Sequence, residues 1–368
     1  MAGLYIHIPF CQSRCIYCAF YSSTQQQQKR AYVEAVCHEW QLRRHELSEP
    51  IETIYVGGGT PSQLSTSELS LLFSSLPTAA AREVTIECNP DDVTPQLAAH
   101  LLSLGVNRVS LGIQTFDDER LRFLRRRHSA SQARHAVSTL REAGFRNISI
   151  DLMFGFPQQT LQQWDADISS ALLLDVEHIS AYCLTYEEGT PLYNIRAREG
   201  LSSVDEELER QMYYHLADRL SSSGYEHYEL SNFARPTRRS LHNSNYWRQV
   251  AYLGLGAAAH SYDIASRSWN VSDIAEYIAA ISSDRLPSGR EVLDAATRYN
   301  DTVAVALRTS DGLSLPLLDE PFRSYCSREA ARFISSGLLR LTADHHLRLT
   351  HQGLFVSDMV MSALMYVD

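Results

Sequence analysis

The sequence predicts an α/β fold: a partial (β/α)6 TIM-like barrel followed by a small C-terminal α-rich domain of winged-helix type. Two patterns predict it. Through residue 235, short runs rich in β-branched and aromatic residues alternate with helical stretches, the mark of a parallel sheet built from βαβ units. After about residue 290 that alternation gives way to a helix, a hairpin and a terminal amphipathic helix.

The elements follow in order. "LYIHI" (4–8) precedes a cysteine-bearing loop and a polar helix from about Lys29 to Arg44, and "TIYV" (53–56) runs into "GGGTPS" and a helix near Ser67 to Leu76. "EVTIE" (83–87) leads to a helix from about Pro95, and "RVSLG" (108–112) to helices near Asp117 and Ser131. "ISIDLM" (148–153) leads to a helix around Leu161 to Leu174, and "HISAY" (178–182) to one over Asp205 to Ser223. "EHYEL" (226–230) is a candidate further strand. Six units fall short of the eight that close a full barrel. The division expected is a barrel over 1–235, a linking region over 236–290, and a C-terminal domain over 291–368 with its hairpin around Asp344–His346.

The 368 residues include 7 cysteines and carry a formal net charge of −10. An odd cysteine count argues against a disulfide framework, and "MAGLYIHIPF" lacks the charged start and cleavage site of a secretory leader. No apolar run reaches the roughly 18 residues of a membrane span. A cytoplasmic location is therefore expected. The acidic balance is unsuited to tracking a phosphate backbone, and the short cluster Arg125–Arg127 reads as a solvated helix end, so no nucleic acid partner is expected.

The densest chemistry is "CQSRCIYC", which spaces Cys11, Cys15 and Cys18 as C-x3-C-x2-C on the loop after strand one. A four-iron cube takes thiolate ligands, and three on one loop leave the fourth iron open to a small molecule. A zinc half-site or buried thiols are the alternatives. Zinc wants a second pair, and Cys37, Cys88, Cys183 and Cys326 are scattered. The loop's position also counts, because strand C-termini build the active site of such barrels.

These residues resemble the radical S-adenosylmethionine superfamily, and "YIHIPFCQSRCIYCAFYS" with "GGGTP" (57–61) is similar to its coproporphyrinogen-oxidase-like branch. The resemblance covers most of the chain. It implies a [4Fe–4S] cluster on Cys11, Cys15 and Cys18 whose open iron binds S-adenosylmethionine. Gly58, Gly59 and Thr60 would lie against its methionine part, although a glycine run by itself is more often a plain turn. Gln114 and Asp151 would suit the ribose hydroxyls, and Arg126 a carboxylate through its planar fork. Glu87 stands at a matching strand end, and Tyr5 and Tyr17 match on strand one and in the cysteine loop. Any one of these, taken alone, also fits an ordinary surface polar residue.

Two departures separate this chain from the oxygen-independent coproporphyrinogen III oxidases it resembles. They carry a fourth cysteine where this chain has Phe20, and an N-terminal extension before strand one, which here begins at about residue 4. "HNSNYW" (242–247) instead resembles the H-N-x-x-Y-W signature of HemW-type heme chaperones. That resemblance implies heme as cargo, His242 as the iron ligand, Tyr246 and Trp247 beside the ring, and His260 in "YLGLGAAAHSY" as a second candidate. The plainer alternative is a histidine and an aromatic pair buried in the barrel wall. The function expected is heme binding and delivery to an unidentified acceptor protein, which could be membrane-associated. The rival is radical decarboxylation of coproporphyrinogen III, and the third reading is a binding module that retains neither activity.

Overall fold

The computed structural model describes residues 1–367. Six strands, β1 (Ala2–Ile8), β2 (Ile51–Gly58), β3 (Glu83–Cys88), β4 (Arg108–Gln114), β5 (Ile148–Phe154) and β6 (His178–Cys183), lie side by side in parallel and in chain order. Side chains alternate across a strand. One set, including Leu4, Ile6, Ile54, Val56, Ile86, Leu111, Ile150 and Ile179, is fully buried against the outer helices. The other set is polar and faces the barrel interior. Pairing places Tyr5 beside Tyr55, Glu87 beside Ser110, and Asp151 beside Ser180. Parallel strands covered on both faces usually read as continuous apolar runs. The alternation here marks an interior lined with polar groups.

The outer layer comprises α1 (Lys29–Arg43), α2 (Thr66–Ser75), α3 (Pro95–Ser103), α4 (Asp118–Phe123), α5 (Ala130–Ala143), α6 (Leu161–Leu173), α7 (Pro191–Glu199) and α8 (Glu206–Ser222). Their starts are written locally. Reciprocal capping boxes, Ser65 with Glu68, Ser129 with Gln132 and Thr160 with Gln163, open α2, α5 and α6. Gly144, at φ 114°, ends α5.

Residues beyond β6, including those of the 236–290 region, add further strands to the same sheet. β7 (Glu226–Glu229) and β8 (Asn232–Ala234) form an antiparallel hairpin beside β6. After α9 (Leu241–Trp247), β9 (Tyr252–Leu255) pairs in parallel with β1 on its free side. β10 (His260–Tyr262), β11 (Ser266–Asn270) and, beyond α10 (Ile274–Ile281), β12 (Ser288–Val292) extend it antiparallel. One open 12-stranded sheet results, running from β12 to β7. β7 matches the candidate strand at 226–230; the other added strands have five residues or fewer, too short for period-two alternation to announce them.

A buried carboxylate ties this flap to the barrel. Glu39 of α1, 0% exposed, accepts hydrogen bonds from Gly256 N (2.8 Å), Asn270 Nδ2 (2.8 Å) and Tyr277 OH (2.6 Å), and pairs with Arg43 at 2.9 Å. Helix α9 closes the other end of the barrel, against the N-termini of the strands. The Glu83 carboxylate accepts from the Leu241 and His242 amides, each at 3.0 Å, and so satisfies two donors that a helix start leaves open.

The C-terminal part comprises α11 (Ala295–Ala306), β13 (Leu313–Ser314), α12 (Phe322–Ser335), β14 (Leu339–Leu341), β15 (His346–Leu349), α13 (His351–Leu354) and α14 (Ser357–Leu364). Its three strands form an antiparallel sheet in the order β13-β15-β14. Val303, Leu307, Cys326, Leu347 and Val360 give it a core of its own. The expected helix, hairpin and terminal helix correspond to α12, β14 with β15, and α14, while α11 and β13 precede them, and Arg308 fastens the unit to Glu229 at 3.0 Å. Among the described residues, no helix is long and apolar enough to cross a membrane.

Candidate functional site

The cysteine loop leaves the C-terminal end of β1 and is held by its own backbone. Cys11 N donates to Ser23 O at 2.9 Å, and the Gln26 side chain donates to Cys11 O at 2.8 Å. Ile16, buried among Leu124, Met153, Phe156 and Leu184, pins its middle. The apolar residue between the second and third cysteines therefore anchors the loop while the thiols stay partly exposed.

The three thiols are close enough for their charges to interact. Burial is the main cause that raises the Cys11 and Cys18 thiols, and the neighbouring cysteines add to it. Cys11 Sγ accepts from Thr60 Oγ1 and Cys15 Sγ from Arg126 Nη1, both at 3.4 Å. Among the described residues, no three His, Cys, Asp or Glu side chains converge on a point where one ion could bind. Three thiolates on one loop suit a cube, in which each takes a separate iron. Cys37, Cys88, Cys183 and Cys326 lie on α1, β3, β6 and α12, and none reaches this loop. The donor set fits an iron–sulfur cluster.

Beneath the loop, the polar interior of the barrel forms a bowl open to solvent at its mouth, where Tyr182, aligned with Ser180 and His178, is 43% exposed. The Arg126 guanidinium sits between Cys15, Asn89 Oδ1 (2.9 Å) and Gly112 O. Burial opposes its charge, but Tyr17 and Cys15 hold it firmly protonated. A Cβ on Gly112 would lie 3.0 Å from both Arg126 Nη2 and Gln114 Nε2, so the glycine leaves room for both side chains. Gln114 occupies the left-handed region at φ 72°, where a non-glycine residue is strained, and this turns the chain at the end of β4. Arg126, rather than Arg125 or Arg127, is thus the member of its cluster that reaches the site. Arg127 pairs with Asp91 and Asp92.

Glu87 accepts from Tyr55 OH (2.7 Å) and Gly58 N (3.0 Å). Burial, reinforced by the Asp151 charge, nevertheless lifts its carboxyl to about 7. Burial also raises Asp151, against the Ser180 and Ser110 hydroxyls and the charges of Arg108 and Arg126. Tyr5 donates or accepts with His7 Nδ1 at 3.0 Å and stacks on Tyr55; burial pushes its phenol up and His7 down to about 4. Tyr17 stays protonated, mainly through burial.

The glycines after β2 do something the sequence did not disclose. A Cβ on Gly58, at φ 116°, would lie 2.6 Å from the His7 ring, and one on Gly59 would lie 2.8 Å from Pro9 and 3.0 Å from Cys11 Sγ. Their missing side chains let β2 close on the root of the cysteine loop. Asn89, His7, Tyr55 and Ser180 were not anticipated as site residues. The alternation of polar and apolar residues in each strand was the signal that could have found them.

Of the residues expected to hold heme, His242 and Tyr246 are brought together and Trp247 and His260 are not. His242 and Tyr246 lie at the far end of the barrel, at the N-termini of β1 to β3 and inside its wall. His242 is 1% exposed, and its Nδ1 is paired with Thr53 Oγ1 (2.8 Å) and its Nε2 with Tyr246 OH (2.9 Å). Burial, with the charge of Arg108, lowers its basicity to about 3. Both ring nitrogens of His242 are thus hydrogen-bonded to hydroxyls in this structure, and the ring stacks on Tyr55. Trp247 points out of that pocket to the Arg308 guanidinium, 4.8 Å from its ring centroid. His260 is exposed on the flap beside Trp269.

A pH dependence follows from Glu87. An unfolded carboxyl loses its proton near pH 4.3, whereas the folded one keeps it to about 7. The fold therefore binds the extra proton, and this group's contribution to stability falls as pH rises across that window. Glu87→Gln is expected to flatten this part of the stability–pH profile between pH 5 and 7, measured by urea unfolding of the full chain. A profile identical to that of the unaltered protein would mean Glu87 does not titrate there.

Comparison with known proteins places these features. Residues 5–171 match the family model of the radical SAM superfamily, and residues 293–356 that of the HemN C-terminal domain. The chain is 34% identical to the heme chaperone HemW of Bacillus subtilis over 99% of both chains. It is 33% identical to that of Mycobacterium tuberculosis over 99% of this chain and 94% of the other. It is also 31% identical to the mitochondrial radical S-adenosyl methionine domain-containing protein 1 of Bos taurus, over 99% of this chain and 87% of the other. Among solved structures, the coproporphyrinogen III oxidase HemN of Escherichia coli, a radical SAM enzyme, superposes with a TM-score of 0.84 at 21% identity, covering 99% of this chain and 90% of that one. At that identity the likeness concerns the fold.

Proposed function

The chain belongs to the HemW family of heme chaperones within the radical SAM superfamily, and on that premise we propose that it binds heme and hands it to an acceptor apo-protein while carrying a [4Fe–4S] cluster and S-adenosylmethionine. The observation that carries this reading is the 34% identity to a heme chaperone over 99% of both chains.

The residues of the bowl divide the binding work. Cys11, Cys15 and Cys18 supply three thiolates, and Thr60 and Arg126 donate to two of those sulfurs. When bound, the cluster supplies a one-electron reductant with an open iron beside S-adenosylmethionine. Gln114 and Asp151 offer an amide and a carboxylate to ribose hydroxyls. Arg126, kept cationic and turned inward, offers its fork to a carboxylate. Glu87 is the anionic partner for a cation above about pH 7 and a neutral hydrogen-bonding group below it. Gly58 and Gly59 place the β2 backbone beside the loop.

A second reading, coproporphyrinogen III decarboxylation, has the HemN-like fold in its favour. Against it, the position two residues after the third cysteine where those enzymes carry a fourth is Phe20, which is 72% exposed. The test uses the full chain with its cluster reconstituted anaerobically. Titrated with ferric heme, it is expected to develop a Soret band and then to transfer the heme to an apo-cytochrome. Given coproporphyrinogen III, S-adenosylmethionine and a strong reductant, it is expected to release no carbon dioxide. Multiple turnovers of decarboxylation without heme transfer would replace the chaperone reading by the enzymatic one.

A further inference from the structure

The bowl and the signature helix lie at opposite ends of the barrel, yet side chains run between them without a break. Glu87 accepts from Tyr55 OH at 2.7 Å, and the Tyr55 ring stacks on His242 with centroids 5.2 Å apart and planes 25° from parallel. We propose that Tyr55 is a positioning residue that couples the two ends, so that an occupant of the bowl changes how firmly the helix Leu241–Trp247 holds its cargo. The proposal rests on the heme-chaperone reading, with heme carried at that helix, and adds its regulation by S-adenosylmethionine.

Three observations support it. The first is contiguity. Among the described residues, Tyr55 alone both hydrogen-bonds Glu87 and stacks on His242. Tyr5 also stacks on His242, but its hydroxyl goes to His7. Alternation along β2 explains the path: Thr53 meets His242 Nδ1, and Tyr55 stands one interior position nearer the bowl. A Cβ on the next interior residue, Gly57, would lie 2.7 Å from the Tyr55 ring and 3.0 Å from the Glu87 carboxyl carbon. That glycine leaves the space in which the two side chains meet.

The second is confinement. His242 is held by Thr53 Oγ1 at 2.8 Å, by Tyr246 OH at 2.9 Å and, through its amide, by Glu83 at 3.0 Å. To meet iron, the ring must exchange one of those hydroxyls, so the residues packed around it set the cost of doing so. Close-packed interiors pass on a neighbour's shift instead of absorbing it.

The third is charge. The Glu87 carboxyl, lifted to about 7, stands near the balance between its neutral and ionised forms at neutral pH. A cation in the bowl favours the ionised form, and S-adenosylmethionine carries an ammonium and a sulfonium. An ionised carboxylate accepts from a phenol roughly twice as strongly as a neutral one. The Glu87 charge already reaches Tyr246, on the far side of His242. Filling the bowl therefore draws the Tyr55 hydroxyl onto Glu87 and resets the ring against His242.

The test uses the full chain with its cluster reconstituted and kept oxidised, so that S-adenosylmethionine binds without being consumed. Ferric heme is titrated with and without saturating S-adenosylmethionine, read by Soret absorbance. In the unaltered chain the heme dissociation constant is expected to change at least about fivefold, and heme must change the S-adenosylmethionine constant by the same factor. Tyr55→Phe keeps the ring and deletes the hydroxyl. It is expected to bring both factors to within about twofold of one. Each factor is a ratio within one variant, so a loss of affinity for either ligand alone cancels, and a merely structural Tyr55 would leave the ratio as it was. Glu87→Gln, which cannot ionise, should abolish the ratio too, and circular dichroism confirms the fold of both variants. An unaltered chain that binds both ligands with a ratio of one, or a ratio kept in either variant, overturns the coupling while the chaperone reading stands. An unaltered chain that binds no heme removes both.

Discussion

Cys11→Ala, Cys15→Ala and Cys18→Ala are each expected to abolish most of the visible iron–sulfur absorption of the reconstituted protein. Each thiolate serves its own iron, and a cube left with two protein ligands has lost the minimum this loop provides. The fold itself should survive. The loop is fixed by Ile16 in its apolar niche and by the backbone bonds of Ser23 with Cys11 and Pro9, none of which uses a sulfur. Far-UV circular dichroism and the unfolding midpoint of the apo-protein should therefore match those of the unaltered chain. Cys37→Ala, Cys88→Ala, Cys183→Ala and Cys326→Ala should retain the full absorption, because those thiols lie on other elements. Loss of the cluster in any of those four would show that a ligand comes from outside the loop. The three-thiolate arrangement with an open iron would then fail.

Glu39→Ala should destabilise the barrel by about 3–5 kcal/mol, the cost of breaking a buried ion pair from one side. The carboxylate is fully buried and satisfies donors from four places: Arg43, Gly256, Asn270 and Tyr277. Removing it leaves the Arg43 guanidinium with Glu46 as its remaining acidic partner, and deprives the Gly256 amide, the Tyr277 hydroxyl and one N–H of Asn270, whose other partner is Gly256 O, of their acceptor. The damage should centre on the flap, because Gly256, Asn270 and Tyr277 are the points where β9, β11 and α10 are tied to α1. Urea unfolding followed by circular dichroism measures the change. Tyr277→Phe is the milder variant: it deletes one hydroxyl from the same carboxylate and should cost about 1 kcal/mol. A Glu39→Ala protein within about 1 kcal/mol of the unaltered chain would show that water replaces the network. The flap would then be held by packing alone.

The cluster loop, the six parallel strands and the order of helix, hairpin and helix at the end were legible in the sequence because each is a local pattern. Thiol spacing, strand runs and capping residues such as Ser65 with Glu68 all act within a few residues of one another. Family resemblance added the cofactors, since motif order along the chain is also readable without coordinates. What the tertiary structure decided depends on pairings between distant residues. The strand Tyr252–Leu255 is four residues long and one of them is glycine, so nothing in its own composition says that it belongs beside β1. Glu39 reads as a surface residue of a polar helix until Gly256, Asn270 and Tyr277 fold over it. The sharpest case is "HNSNYW". As a string it puts histidine, tyrosine and tryptophan together as one site. As the helix Leu241–Trp247 it turns by about 100° per residue, so positions four apart share a face and the next one does not. His242 and Tyr246 therefore meet each other inside the barrel, while Trp247 faces Arg308. The motif's residue types were settled by the sequence. Where each of them lies was settled by the helical turn, which sets His242 against the Thr53 hydroxyl inside the barrel and turns Trp247 out of it.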